Sequence, residues 1–198
     1  MPGIEPGEIK KGQKQMKFWE EWQKLYRYGL IVIQPPDEIR ELVNKQREEY
    51  DPLSQSYSEA HITVTQPLLK ELSEDGWDRV LRIIEGHGSF QIDYGPINSF
   101  LPYPCIWYEI QPAEKILDLR QALHRTGFYN LSLPHTEDFI PHLTITEGLS
   151  GPTVDEKLFN QLQGESCQGT FLCQQLTYIV PDDKFNFKIV KTLPLGTP

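Results

Sequence analysis

Apolar residues recur along this chain in two rhythms, one of three to four residues and one of two, and the switches between them predict its elements. Phe18, Trp19, Trp22, Leu25 and Tyr26 fall at helical spacing, predicting a short amphipathic helix from Lys17 to Tyr26. The unbroken run Tyr28–Ile33 suits a central strand buried on both faces, and Pro35-Pro36 stops it. Asp37 is placed to cap a helix from Glu38 to Tyr50 with Ile39, Leu42 and Val43 inward, and Asp51–Ser58 reads as a loop. Ala60–Gln66 alternates as a strand. Ser73 or Asp75 opens a helix striped with Trp77, Val80, Leu81, Ile83 and Ile84, which ends at Gly86-His87-Gly88. Strands follow at Phe90–Tyr94 and Cys105–Ile110, then a helix from Pro112 to Thr126 with Ile116, Leu119 and Leu123 inward. The chain continues with a strand Ile140–Thr146, a helix Asp155–Leu162, and two strands, Thr170–Val180 and Phe185–Leu193, joined by the turn Pro181–Lys184. Residues 1–15 are polar and rich in glycine and proline, so a flexible tail is expected there and a single domain over residues 16–198.

Two of these strands share one phrase. His61-Ile62-Thr63-Val64-Thr65 and His142-Leu143-Thr144-Ile145-Thr146 both read His-apolar-Thr-apolar-Thr. Alternate strand residues share a face, so each copy presents an imidazole and two hydroxyls in a row. At about 3.3 Å per residue, a histidine and its first threonine lie roughly 6.6 Å apart, within reach of one phosphate. Each copy also follows a strand-plus-helix unit. Two such units related by a pseudo-twofold axis would lay their motif strands side by side in a central cleft. Paired imidazoles suit general acid/base catalysis on a phosphodiester: one deprotonates a nucleophile, the other protonates the leaving oxygen. Thr63 and Thr144 hydroxyls then face the phosphoryl oxygens, where charge develops. Thr65 and Thr146 either extend this site or serve strand propensity alone.

At these residues the sequence resembles a family. Ala60-His61-Ile62-Thr63-Val64 and Pro141-His142-Leu143-Thr144-Ile145 are similar to the twin motifs of the two-histidine (2H) phosphoesterases, including 2′-5′ RNA ligase-like proteins and 2′,3′-cyclic nucleotide phosphodiesterases. The resemblance implies a bilobed α+β fold with duplicated β-α-β units and two antiparallel sheets around a cleft. It also implies metal-free hydrolysis or ligation at 2′,3′-cyclic or 2′-5′ phosphodiester ends of nucleotides or RNA, with no cofactor. His61 and His142 would be the acid/base pair and Thr63 and Thr144 the phosphate ligands. His142 is placed as base and His61 as acid in cyclic phosphate hydrolysis, the roles exchanging when the reaction reverses.

Composition narrows the partners. A net charge of −9 argues against duplex nucleic acid but not against a nucleotide or RNA end in a local pocket. No apolar stretch is long enough for a membrane span, and no secretory leader is visible; with three cysteines in no C-x-x-C pair, a cytoplasmic monomer is expected. Of the remaining histidines, His135 lies in a loop before the second motif and is a candidate substrate contact. His87 reads as a helix-end residue and His124 as a surface residue. Tyr57 and Tyr178 are the aromatic candidates for contact with a base or ribose, with Tyr103, Trp107, Tyr108 and Phe139 behind them. Two competing readings remain: a non-catalytic nucleotide or RNA-end binder using the same cleft, and a metallohydrolase with both motif histidines and Glu59, Asp138 or Glu147 as ligands.

Overall fold

A computed structural model describes residues 19–197; the expected tail at residues 1–15 lies outside them. After a short helix α1 (Glu21–Lys24), the chain forms β1 (Leu30–Ile33), α2 (Asp37–Tyr50), α3 (Pro52–Tyr57) and β2 (Ile62–Thr63). The middle comprises α4 (Glu74–Glu85), β3 (Phe90–Ser99), β4 (Ile106–Gln111), α5 (Ala113–His124) and β5 (His142–Thr146). It ends with α6 (Glu156–Gly164), β6 (Gly169–Cys173), β7 (Gln175–Pro181) and β8 (Phe187–Pro194).

The eight strands form one sheet in the order β6-β3-β4-β5-β2-β1-β7-β8, with antiparallel neighbours throughout. It divides into two four-stranded halves that meet at the motif strands β5 and β2. In each half the motif strand is flanked by the strand that begins its own β-α-β unit, β4 for β5 and β1 for β2. The bilobed, pseudo-twofold α+β arrangement is therefore present, with the two expected sheets hydrogen-bonded into one.

That sheet must curl. β6 and β7 stand six places apart, about 29 Å across a flat sheet at roughly 4.8 Å per strand. Yet only Gln174 separates them in sequence. The predicted single strand Thr170–Val180 is thus two strands serving opposite halves. The closure is pinned where Leu195 N–H donates to the Gln174 carbonyl (2.9 Å) and Gly196 N–H to that of His87 (3.0 Å).

One face of the sheet packs the main core. Ile31, Ile33, Ile62, Val64, Leu143 and Ile145 lie there with Val43 of α2, Val80 and Ile84 of α4, and Ile116, Leu119 and Leu123 of α5. The motif apolar residues therefore point to the helices, which leaves the His/Thr face on the other side. On that opposite side Leu30, Val32 and Ile179 form a smaller cluster against Tyr26 and Phe187.

The segment expected as a loop at Asp51–Ser58 is mostly helix, because Asp51 caps it by accepting from Ser54 N–H and Pro52 occupies its first turn. Asp51 is fully buried and its carboxylate also accepts from the N–H groups of Glu147, Leu149 and Ser150 and from the hydroxyls of Thr146 and Ser150. One side chain thus joins α3 to the turn that leaves the second motif. Asp51→Ala strands these donors and is expected to cost about 3 kcal/mol, lowering the melting temperature by roughly 6–12 °C. Thermal unfolding followed by circular dichroism checks this; an unchanged midpoint would refute it.

Candidate active site

The sheet register assembles the four motif residues. Ile62 pairs with Leu143 between β2 and β5. One residue further each way, His61 falls opposite Thr144 and Thr63 opposite His142. Each histidine thus neighbours the threonine of the other motif, at about 5 Å between Cβ atoms, and the two histidines occupy a diagonal of roughly 7–8 Å. A tetrahedral phosphoryl group fits between them.

Both rings are held alike. His61 Nδ1 lies 2.8 Å from the Glu59 carbonyl and His142 Nδ1 2.6 Å from that of Ile140. A carbonyl only accepts, so each Nδ1 bears a proton and each Nε2 is the free nitrogen of the neutral ring. The hydroxyls divide into two kinds. Thr65 Oγ1 accepts from Ile31 N–H (3.0 Å), and Thr146 Oγ1 accepts from Gly148 N–H (3.0 Å) while donating to Asp51. These second threonines fix backbone. Among the described residues, the Thr63 and Thr144 hydroxyls bond to no protein group.

Thr63, His142 and His135 line one cavity of about 510 Å³. His61 borders an adjoining recess of about 400 Å³ with Gln34, Glu59 and Lys188. Thr144 is 9% exposed, on the floor opposite His61. His135 is exposed, in the left-handed region (φ 58°), at the cavity wall. The two tyrosine candidates lie elsewhere. Tyr178 is a core residue on β7, packed on Trp77, with its hydroxyl donating to the Tyr28 carbonyl (2.6 Å). Tyr57 is half-buried against Trp22 and Phe185, in an aromatic cluster that ties α1 and α3 to the β7–β8 turn. Tyr103, Phe139 and Phe100 line the cavity instead. His124 is buried rather than on the surface, because it continues the Ile116/Arg120 stripe of α5; its Nε2 accepts from Gln66 N–H (3.0 Å).

Two residues that the sequence reading passed over complete the site. Arg47 of α2 donates to the carbonyl of Thr144 (3.1 Å) and to Gln55, Ser54 and Ser58. Arg120 of α5 donates to the carbonyl of Val64 (2.9 Å) and to that of His135 (3.3 Å), its guanidinium stacked 4.1 Å over Phe139. Each helix thus sends a buried arginine across the midline to the other half's motif strand. Burial lowers Arg120 to about 10, leaving it protonated at neutral pH. Among the described residues neither guanidinium has a carboxylate within ion-pair distance; carbonyl and side-chain oxygens hold both, and Glu147 and Asp51 act on Arg47 only at longer range. The signal was available: Arg47 follows Ile39 and Val43 at intervals of four, on the inward face. Glu147 also lines the cavity, its carboxyl raised by desolvation and by Asp51 against the opposing pull of Arg47.

The sequence profile of the 2′-5′ RNA ligase superfamily matches residues 35–184. The chain belongs to that superfamily, as its twin motifs implied. Within the 2′-5′ RNA ligase superfamily, a Halalkalibacterium halodurans protein named "Putative phosphoesterase BH1439" is 24% identical over 172 residues, covering 85% of this chain and 97% of that protein. A similarly named Staphylococcus aureus protein is 25% identical over 176 residues, covering 85% of this chain and 98% of its own. The fold is that of Escherichia coli LigT, solved in complex with 3′-AMP (TM-score 0.55, 17% identity, 85% of this chain and 98% of that one). It is also that of Thermus thermophilus TT0787 (TM-score 0.54, 14% identity, 85% and 97%). Among the described residues no group of three or more His, Cys, Asp or Glu side chains is placed to hold a metal ion, which removes the metallohydrolase ligand set. Nor is any helix among them long and apolar enough to cross a membrane.

Desolvation lowers both motif histidines from 6.5, His61 to about 4 with Arg47 and His142 adding to the effect, and His142 with His135 adding. Their folded values lie below the unfolded one, so the unfolded chain binds more protons in acid. The stability they allow is complete above pH 6.5 and lost as pH falls from there toward 4. His61→Gln is expected to flatten this loss. Denaturant unfolding of both proteins between pH 7.5 and 4.5 checks it, and parallel pH curves would contradict it.

Proposed function

We propose that this protein is a metal-independent phosphodiesterase that opens 2′,3′-cyclic phosphates or cleaves 2′-5′ phosphodiester bonds of nucleotides or RNA ends, and ligates such ends in reverse. The observation that supports this most directly is the diagonal pair of imidazoles, each with Nδ1–H tied to a carbonyl and each beside an unengaged threonine hydroxyl. The relatives' names as phosphoesterases and the LigT complex with a ribose 3′-phosphate agree with it.

The chemistry follows from this arrangement. One neutral Nε2 takes a proton from water as the water oxygen bonds to phosphorus. The bond from phosphorus to the ribose 2′- or 3′-oxygen breaks, and the other imidazole, protonated once the anionic substrate is bound, gives its proton to that oxygen. Charge gathering on the non-bridging oxygens meets the Thr63 and Thr144 hydroxyls and the field of Arg47 and Arg120. The environments of the two histidines differ. Arg47 opposes protonation of His61, whereas Phe100, Trp107 and Phe139 surround His142 at 5.4–6.1 Å. His61, kept neutral and so free to take a proton, is assigned as the base and His142 as the acid for hydrolysis, the order opposite to that expected from the motifs.

Turnover of nucleoside 2′,3′-cyclic phosphates and a 2′-5′ dinucleotide tests the reading. Activity should persist in EDTA and fall at least about 10³-fold in His61→Ala and in His142→Ala, while Thr63→Val and Thr144→Val lose roughly 10–100-fold. Tight binding without product in the wild type would instead make the cleft a binding site. A p-nitrophenyl nucleotide ester, whose leaving group needs no proton, separates the roles. His142→Ala should retain most activity on it and His61→Ala little; the opposite ranking would restore His142 as base.

A further inference from the structure

We propose that Glu147 reads the base of the bound nucleotide and selects guanine, an inference that rests on the cleft being a nucleotide phosphate site as set out above. Glu147 follows the last residue of β5 and lines the main cavity together with Tyr26, Phe100 and Tyr103. From the midpoint of the four-residue square, beside Leu143, its Cα lies about 13 Å along the strand axis. That separation is on the scale of one nucleoside together with a glutamate side chain. Arg120, Gln66 and His135 line the same cavity.

Glu147 is solvent-exposed, and Arg47 is the charge that favours its ionised form. Asp51 holds the Glu147 backbone N–H at 2.9 Å, which fixes the turn. Among the described residues its carboxylate forms neither a hydrogen bond nor an ion pair. A carboxylate in the same cavity as a phosphate site repels the substrate as far as Arg47 does not offset it, unless it receives hydrogen bonds from another part of that substrate.

The four bases differ in what they offer. Guanine presents two parallel donors, N1–H and the 2-amino group, which match the two oxygens of one carboxylate. Adenine and cytosine each set a ring acceptor beside a single amino group, and uracil flanks one N–H with two carbonyls, so part of each edge faces the carboxylate with like polarity. An aromatic face for stacking stands close by: Tyr103, between β3 and β4, is 60% exposed and lines the same cavity.

The test measures affinity, so it does not depend on turnover. Isothermal titration of the full chain with 3′-GMP, 3′-AMP, 3′-CMP and 3′-UMP should show 3′-GMP bound at least about tenfold more tightly than the rest. Glu147→Gln should erase that preference and leave the other three affinities equal or improved, since the repelling charge is gone. Lowering the pH should erode the preference in the wild type and leave Glu147→Gln unchanged, a response that stacking alone does not produce. Equal affinity for all four nucleotides, binding of none of them, or a guanine preference that survives in Glu147→Gln overturns the assignment. Failure of catalysis with the guanine preference intact would instead fall on the phosphodiesterase reading alone.

Discussion

Everything in this site depends on one short pairing, Ile62 against Leu143, where the two halves of the sheet meet. β2 is only two residues long, and each of its neighbours contacts it briefly. Because side chains alternate at every residue, a slip of one position would turn His61 and Thr63 into the core and bring Ile62 and Val64 into the cleft. The main core forbids that slip: Ile62, Val64, Leu143 and Ile145 are all fully buried. Hydrophobic burial on one face thus sets catalytic geometry on the other. The crossed arginines reinforce the joint, since Arg47 grips the backbone of β5 and Arg120 the chain just beyond β2.

The same arginines account for the electrostatics. A chain with net charge −9 places two guanidiniums in its interior with no carboxylate in ion-pair range among the described residues. Such charges are costly unless something neutralises them, and carbonyl oxygens do so only in part. An anion between the motif strands would complete the arrangement. The depressed histidines agree, because burial keeps both imidazoles neutral, with Arg47 adding to the effect at His61, and each gains a proton most readily when a phosphate arrives.

Much of this was legible in the sequence, for identifiable reasons. The duplicated phrase, its strand setting and the two β-α-β units rest on local periodicity, and the helices α2, α4, α5 and α6 stand close to where apolar stripes placed them. What escaped was set by tertiary contact. One continuous strand pattern became β6 and β7, because the curl of the sheet, rather than propensity, decides where the chain changes partners. Tyr57 and Tyr178 have the composition of ligand contacts but their rings are consumed by packing. His124 reads as a surface residue in the sequence, and Arg120 and Arg47 draw no notice there, although each sits on an inward stripe. A charged or titratable residue at a core position of an amphipathic helix is a readable sign of a buried polar network, and here three such residues support the site.

The pseudo-twofold also explains why the site is not symmetric in its chemistry. An acid and a base have opposite needs, and a perfectly duplicated site would give two histidines the same proton affinity. Duplication supplies the geometry: two imidazoles, two carbonyl anchors, two hydroxyls. The surroundings then divide the roles. His61 has Arg47 and a polar recess beside it, while His142 is enclosed by Phe100, Trp107 and Phe139 near a loop that contributes His135. Phe100 comes from the β3–β4 connection, and Phe139 and His135 from the loop between α5 and β5, which differs from the α3-containing connection in the other half. On the proposed reading, the symmetric elements position the phosphate, and the asymmetric loops bear on which histidine gives its proton and what the rest of the substrate touches.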